Sequence, residues 1–296
     1  MATIFGVPLV ALMGQLLLGL INGAFYAILS LGLAIIFGLL RIVNFAHGAL
    51  YMMGAFVAWM LSNYLGLGYW WALILAPVAV GLFGIVLERL LLSRISSLDH
   101  VYGLLLTFGV ALIVQGLFMN GYGSSGMSYA TPAALTGGFN LGFMFLPIYR
   151  AWVIVASIVV CLAAWFVIEK TKLGSYLRAA TENPGLVGAF GVNVPLMITI
   201  TYGVGVGLAA FAGVLAAPIY SVSPTMGVDL IIVVFAVVVI GGMGSILGAV
   251  ITGFGLGLIE GLTKVFYPEA SSTVIFIIMA IVLLIKPNGL FGKGIS

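Results

Sequence analysis

Apolar runs long enough to span a lipid bilayer recur along this chain, and Lys, Arg, Asp and Glu fall almost entirely in the gaps between them. A hydrocarbon core about 30 Å thick takes roughly 20 apolar residues per helical crossing. With 64% hydrophobic residues, 6% charged residues and a mean hydropathy of +1.33, there is too little polar surface to solvate a soluble fold of 296 residues. The fold class is therefore all-α and polytopic, as one transmembrane domain over residues 1–296, with membrane lipid as its main surroundings. The 41 glycines fit that class, because small residues let helix backbones approach where no hydrophobic force drives helices together.

Several other chemistries are excluded at this stage. The net charge of +3 comes from basic residues scattered along the chain, which form no nucleic-acid patch. Cys161 stands alone in an apolar run and two His cannot complete a metal site without more ligands, so neither a metal nor another cofactor is expected. No basic residue precedes Arg41, so the N-terminus lacks the charged start of a cleaved signal peptide and the first apolar segment is expected to stay.

Spans are predicted near residues 9–39, 46–63, 70–90, 101–119, 151–168, 196–216, 228–241, 246–263 and 271–285, giving eight or nine crossings. The first run would be roughly 46 Å long, so it must tilt, break or protrude. The stretch 228–263 is too long for one crossing, and its break at Gly241-Gly242-Met243-Gly244-Ser245 reads as a tight turn or the tip of a re-entrant pair. With the N-terminus outside and the C-terminus inside, Arg41, Arg89, Arg94, Lys170, Lys172, Arg178, Lys286 and Lys293 fall in the cytoplasm, and only Arg150 and Lys264 fall outside. The 120–149 loop then faces outward and the 169–195 loop inward.

The inward loop carries its own helix signals. Asn183 is an N-cap residue, Pro184 suits the first helical position, and Gly191 suits a left-handed stop about two turns later. Leu186, Val187, Ala189 and Phe190 then form a short apolar knob flanked by Arg178 and Glu182. Such a knob docks a protein partner or rests on lipid headgroups.

Polar residues inside spans form two faces. Gln15, Gly19, Asn22, Tyr26 and Ser30 recur at helical spacing on the first span, and Gly103, Thr107, Ala111 and Gln115 on the fourth. Each face lines a translocation path or bonds a neighbouring helix. Asn44 can cap the second span or serve that path. His47, in the span's first turn, is expected near the cytoplasmic surface. Glu260 stands four residues before Lys264, a helical ion-pair spacing, and the remaining carboxylates are expected at span ends or in loops. Gly253, Gly257 and Gly261 make one small-residue row, and Gly244, Gly248 and Thr252 another. Both are expected to pack helices, either within the chain or against another subunit.

The loop string Gly174, Leu177-Arg178-Ala179, Glu182-Asn183 and Gly191-Val192 resembles the cytoplasmic coupling loop of the branched-chain amino-acid ABC-transporter permeases of the LivH type. The opening agrees, with Asn44-Phe45-Ala46-His47-Gly48 and Met53-Gly54-Ala55-Phe56, as do Ile240 to Ala249 and the ending Lys286 to Gly292. The sequence departs from the family's common residues at Asn183 and Val187. The resemblance implies a bacterial inner-membrane importer with two permease subunits, the second a related but different chain. It further implies two cytoplasmic ATPases, an external solute-binding protein, and leucine, isoleucine or valine as cargo. It also assigns the coupling loop, from Gly174 through Gly191, to the ATPase cleft. No Gly-x-x-x-x-Gly-Lys-Ser/Thr loop occurs, so the chain is not expected to hydrolyse ATP itself. A related permease for other amino acids, urea or short amides is the alternative, and a stand-alone secondary carrier or channel a further one.

Overall fold

The computed structural model describes residues 3–4, 7–40, 43–95 and 98–292. Each expected span is helical: α1 (Leu9–Leu40), α2 (Ala46–Leu65), α3 (Tyr69–Leu87), α4 (His100–Tyr122) and α5 (Ile148–Lys170) come first. Two short helices follow, α6 (Lys172–Glu182) and α7 (Pro184–Ala189), then α8 (Val194–Ala216), α9 (Val228–Gly241), α10 (Ile246–Phe266) and α11 (Val274–Ile285). Six of these are long and apolar enough to cross a membrane on length and composition alone, while α9 and α11 are shorter apolar helices. The chain is an all-α, multi-pass membrane protein.

Glycine decides the central contact. α1 and α10 run antiparallel with their backbones nearly touching, Gly19 against Gly257 and Gly261, Gly23 against Phe254, and Gly253 against Ala27. A Cβ on Gly257 would stand 2.5 Å from the Gly19 carbonyl oxygen and 2.5 Å from the Gly23 nitrogen, closer than real Cβ contacts allow. Both obstacles are backbone, so neither can move aside. The row Gly253, Gly257 and Gly261 therefore packs within the chain. Gly248 packs on Gly241, but Gly244 is not on the helix with it: at φ 84 it belongs to the preceding turn, where it meets Gly38.

The helices alternate between two ends of the bundle. Tyr149 Oη donates to Leu215 O at 2.9 Å and lies 3.1 Å from Tyr69 Oη, tying the starts of α3 and α5 to the end of α8. The 123–147 loop sits at this loop end, folded back by a strand pair, Gly138–Asn140 with Phe145–Pro147. At the other, hairpin end, Thr199 Oγ1 donates to Glu88 Oε2 at 2.7 Å and joins the end of α3 to the start of α8. Arg89, Arg94, Lys170, Lys172, Arg178 and Lys286 lie at the hairpin end, Arg150 and Lys264 at the loop end. Arg41 and Lys293 lie outside the described residues.

Two open alternatives resolve and one expectation changes. The first run neither breaks nor shortens; it is one 32-residue helix, long enough to extend past a bilayer core. The break at 241–245 is a tight turn, with Gly242 at φ 101 and Ser245 capping the Gly248 N–H at 3.1 Å. The interrupted crossing lies one connection earlier. After α8 ends, residues 217–227 turn back into the bundle, and α9 starts where Gly227 abuts Gly48. Its 14 residues cover roughly 21 Å, less than a bilayer core. Gly48 follows His47, which reaches the carbonyl of Leu29 within α1, and shares a cleft with Ala111 near the midpoint of α4. The first turn of α9 is thus at mid-depth.

Candidate coupling surface and transport path

The hairpin formed by α6 and α7 is built onto the end of α5. Gly174 sits directly on the Ile168 carbonyl, where no side chain fits. Arg178 Nη1 donates to Ile168 O at 3.1 Å and pairs with Glu169 Oε2 at 3.2 Å. Both ion-pair partners are well exposed, so the geometry orients the helix but the pair itself contributes little. Ala179 and Glu182 are exposed on α6, and the buried Leu177 and Ala180 hold its other face.

Asn183 Oδ1 accepts from the Leu186 N–H at 3.0 Å, Pro184 opens α7, and Gly191 at φ 83 takes the left-handed conformation after it. The knob itself divides. Val187 is only 5% exposed and packs with Leu177, Ala180, Val194 and Met197, so it anchors α7 and is unavailable to a partner. Leu186 is 58% exposed and Phe190 80% exposed. An outward Phe on a capped helix at the basic end of a membrane protein is the clearest apolar contact this surface offers.

The polar face of α1 meets α10. Tyr26 Oη donates to Glu260 Oε2 at 2.7 Å, Asn22 Nδ2 reaches Glu260 Oε1 at 3.5 Å, and Lys264 Nζ pairs with Glu260 Oε1 at 2.5 Å. Tyr220 Oη extends this group to Asn22 at 3.4 Å. Ser30 Oγ donates to Ala249 O at 3.1 Å. Both carboxylate oxygens of Glu260 are engaged, which satisfies a charge that lipid would penalise.

A second group closes the start of α2. Asn44 Oδ1 caps the Ala46 N–H at 3.1 Å while its amide donates to Tyr202 Oη at 3.0 Å. Thr107 Oγ1 donates to Val43 O at 3.2 Å and accepts from the Phe45 N–H at 3.2 Å. His47 is not near the surface as expected. It is fully buried, with Nε2 3.0 Å from Leu29 O, because α2 begins beside the middle of α1. Of the candidate path residues, Asn22, Tyr26, Ser30, Asn44, His47 and Thr107 bond within the chain. Gln15 and Gln115 are half-buried without a side-chain partner among the described residues.

Glu88 lies at a span end as expected, and Asp229 departs from expectation. Glu88 is 4% exposed, held by Thr199 in a π-helical turn that prolongs α3. Asp229, expected at a span end, stands in the first turn of α9 at mid-depth. It is exposed, with no hydrogen bond or ion pair among the described residues. No composition signal separates a half-length helix from a full one, but 14 residues between Gly227 and Gly242 already fall short of a span.

A bundle of this kind, with an interrupted crossing, polar groups engaged inside it and a hairpin with exposed apolar side chains at its basic end, is of the multi-pass permease class. The family model for the branched-chain amino acid transport system permease component matches residues 15–283. The chain belongs to that family. The LivH permease protein of the high-affinity branched-chain amino acid transport system of Escherichia coli K12 is 28% identical, covering 94% of this chain and 95% of the relative. BraD, a permease protein of the same kind of system in Pseudomonas aeruginosa, is 29% identical with the same coverage. E. coli LivM, also a permease of that system, is 28% identical over 90% of this chain and 67% of its own length.

Proposed function

We propose that this chain is a single-domain permease subunit of an ATP-driven importer for leucine, isoleucine and valine, paired with a second, related permease. Cytoplasmic ATPases would dock on α7, and an external binding protein would deliver cargo to the loop end. The observation that carries this reading is the hairpin, in which Val187 fixes α7 to the bundle while Leu186 and Phe190 face outward. The similarity to both LivH and LivM supports two related permeases in one complex. The test is reconstitution. The complete complex should accumulate leucine with ATP, and the purified chain alone should accumulate none under a proton or sodium gradient. Gradient-driven accumulation by the chain alone would make it a secondary carrier.

The basic residues support a cytoplasmic hairpin end and an external loop end in a bacterial inner membrane. In a Cys161→Ala background, Ser125→Cys should label with an impermeant thiol reagent in intact cells and Ser175→Cys should not. Both serines are exposed, at opposite ends. The reverse pattern would invert the topology.

A further inference from the structure

The interrupted crossing, residues 217–229, has two unlike sides. The apolar side is pinned. Val222 is fully buried and exchanges two backbone hydrogen bonds with Met127 of the loop-end connection, its N–H donating to Met127 O at 2.8 Å and its carbonyl accepting from the Met127 N–H at 2.9 Å. Pro224 is buried as well, and Gly227 lies on Gly48. The other side carries Tyr220, Ser221, Thr225 and Asp229, all of them exposed. Tyr220 follows the end of α8 at the loop end and Asp229 stands at mid-depth, so this polar side runs from one surface of the bundle towards its middle. Beyond Asp229 the next outward residue is the apolar Ile232, and the polar side stops there.

Acyl chains cannot solvate such a side, because its polar side chains and its non-helical backbone would both face hydrocarbon. Asp229 has no hydrogen bond or ion pair among the described residues, and the described basic residues all sit at the two ends of the bundle. A packed subunit would have to bring a cation to that depth to avoid burying a lone carboxylate, whereas water needs no such match. We propose that the side bearing Tyr220, Ser221, Thr225 and Asp229 is one wall of a water-filled vestibule of the transport path, open at the loop end and closing below Asp229. The Met127–Val222 clasp keeps the apolar side in the bundle and so holds the polar side towards the vestibule. The proposal rests on the transport function above and deepens it, by naming residues that face the route of a zwitterionic cargo. It also separates roles among the acidic residues, since Glu260 holds helices together and Asp229 faces water.

The test is cysteine accessibility in the complete complex in proteoliposomes, with each variant in a Cys161→Ala background and a charged methanethiosulfonate reagent added on the loop side. Val159→Cys on α5 is the control, because Val159 is 58% exposed among the outward Val155 and Leu162. Ser221→Cys, Thr225→Cys and Asp229→Cys should each react about tenfold or more faster than Val159→Cys, since the reactive thiolate forms in water and not among acyl chains. Reagent fixed at Thr225→Cys should stop leucine uptake and leave the complex assembled. Where Asp229→Cys fails to fold, Thr225→Cys still decides. An unreactive Thr225→Cys overturns the proposal, as does its full reaction with uptake unchanged. Reaction that appears only once the second permease is removed also overturns it, by making this side a subunit contact. Failure of the functional reading itself is read separately, from a Cys161→Ala complex that carries no branched-chain amino acid, whereas the labelling pattern is read without transport.

Discussion

Along the α1–α10 contact, glycines bring two backbones together and Glu260, Tyr26 and Ser30 find their partners inside the chain, whereas the α6–α7 hairpin turns only one face inward and leaves Leu186 and Phe190 outside. Both regions use small residues to reach close contact, Gly257 in the first and Gly174 in the second. The difference lies in what remains uncovered. A contact satisfied internally has one stable arrangement and suits a rigid frame. A short capped helix with a large apolar side chain outside leaves apolar surface open to another molecule, an arrangement that suits a joint that transmits motion.

The largest effect should come from breaking the first region. Gly257→Leu drives a branched side chain into the backbone of Gly19 and Gly23, where overpacking costs about 1–3 kcal/mol even when neighbours can shift. Loss of folded, monodisperse protein in detergent is expected. Normal folding with an unchanged Tm would mean that α1 and α10 are not held backbone to backbone.

A smaller effect sharpens the same comparison. Glu260→Gln keeps the shape but removes the charge facing Lys264. Glu260 is largely buried, yet Lys264 keeps 38% of its side chain exposed, so solvent screens the pair. A loss of about 1–2 kcal/mol in thermal stability is expected, less than for a fully buried pair. Uptake should fall only as far as folded protein does. Abolished uptake at unchanged stability would move Glu260 from the frame to the path.

Much of this was legible in the sequence because the bilayer imposes a length and a polarity that single residues report. The spans, the row Gly253, Gly257 and Gly261, and the Asn183-Pro184 start of α7 all follow from such local rules. Depth and facing were not legible. Val187 and Leu186 are both apolar and adjacent, and only the position of Leu177, Val194 and Met197 decides which of them turns inward. α6 read as a loop because Lys172, Arg178 and Glu182 dominate its composition, although Leu177 and Ala180 give it a buried face. The depths of His47 and Asp229 depend on where α2 and α9 begin relative to α1 and α4, a tertiary relation without a local signature.

The most direct test of the account is the double variant Leu186→Ala with Phe190→Ala, measured in the assembled transporter for ATPase co-purification and leucine uptake. Val187 is left in place because it anchors α7. Deleting a large apolar side chain from an interface costs about 2–4 kcal/mol, so ATPase association should weaken by more than about tenfold while the Tm of the permease stays at its original value. Asn183→Ala, which removes about 1 kcal/mol of capping, should fall between this variant and the unsubstituted chain. Unchanged ATPase association and uptake in the double variant would mean that α7 only rests on lipid headgroups, and would contradict its role as the joint between nucleotide hydrolysis and the membrane bundle.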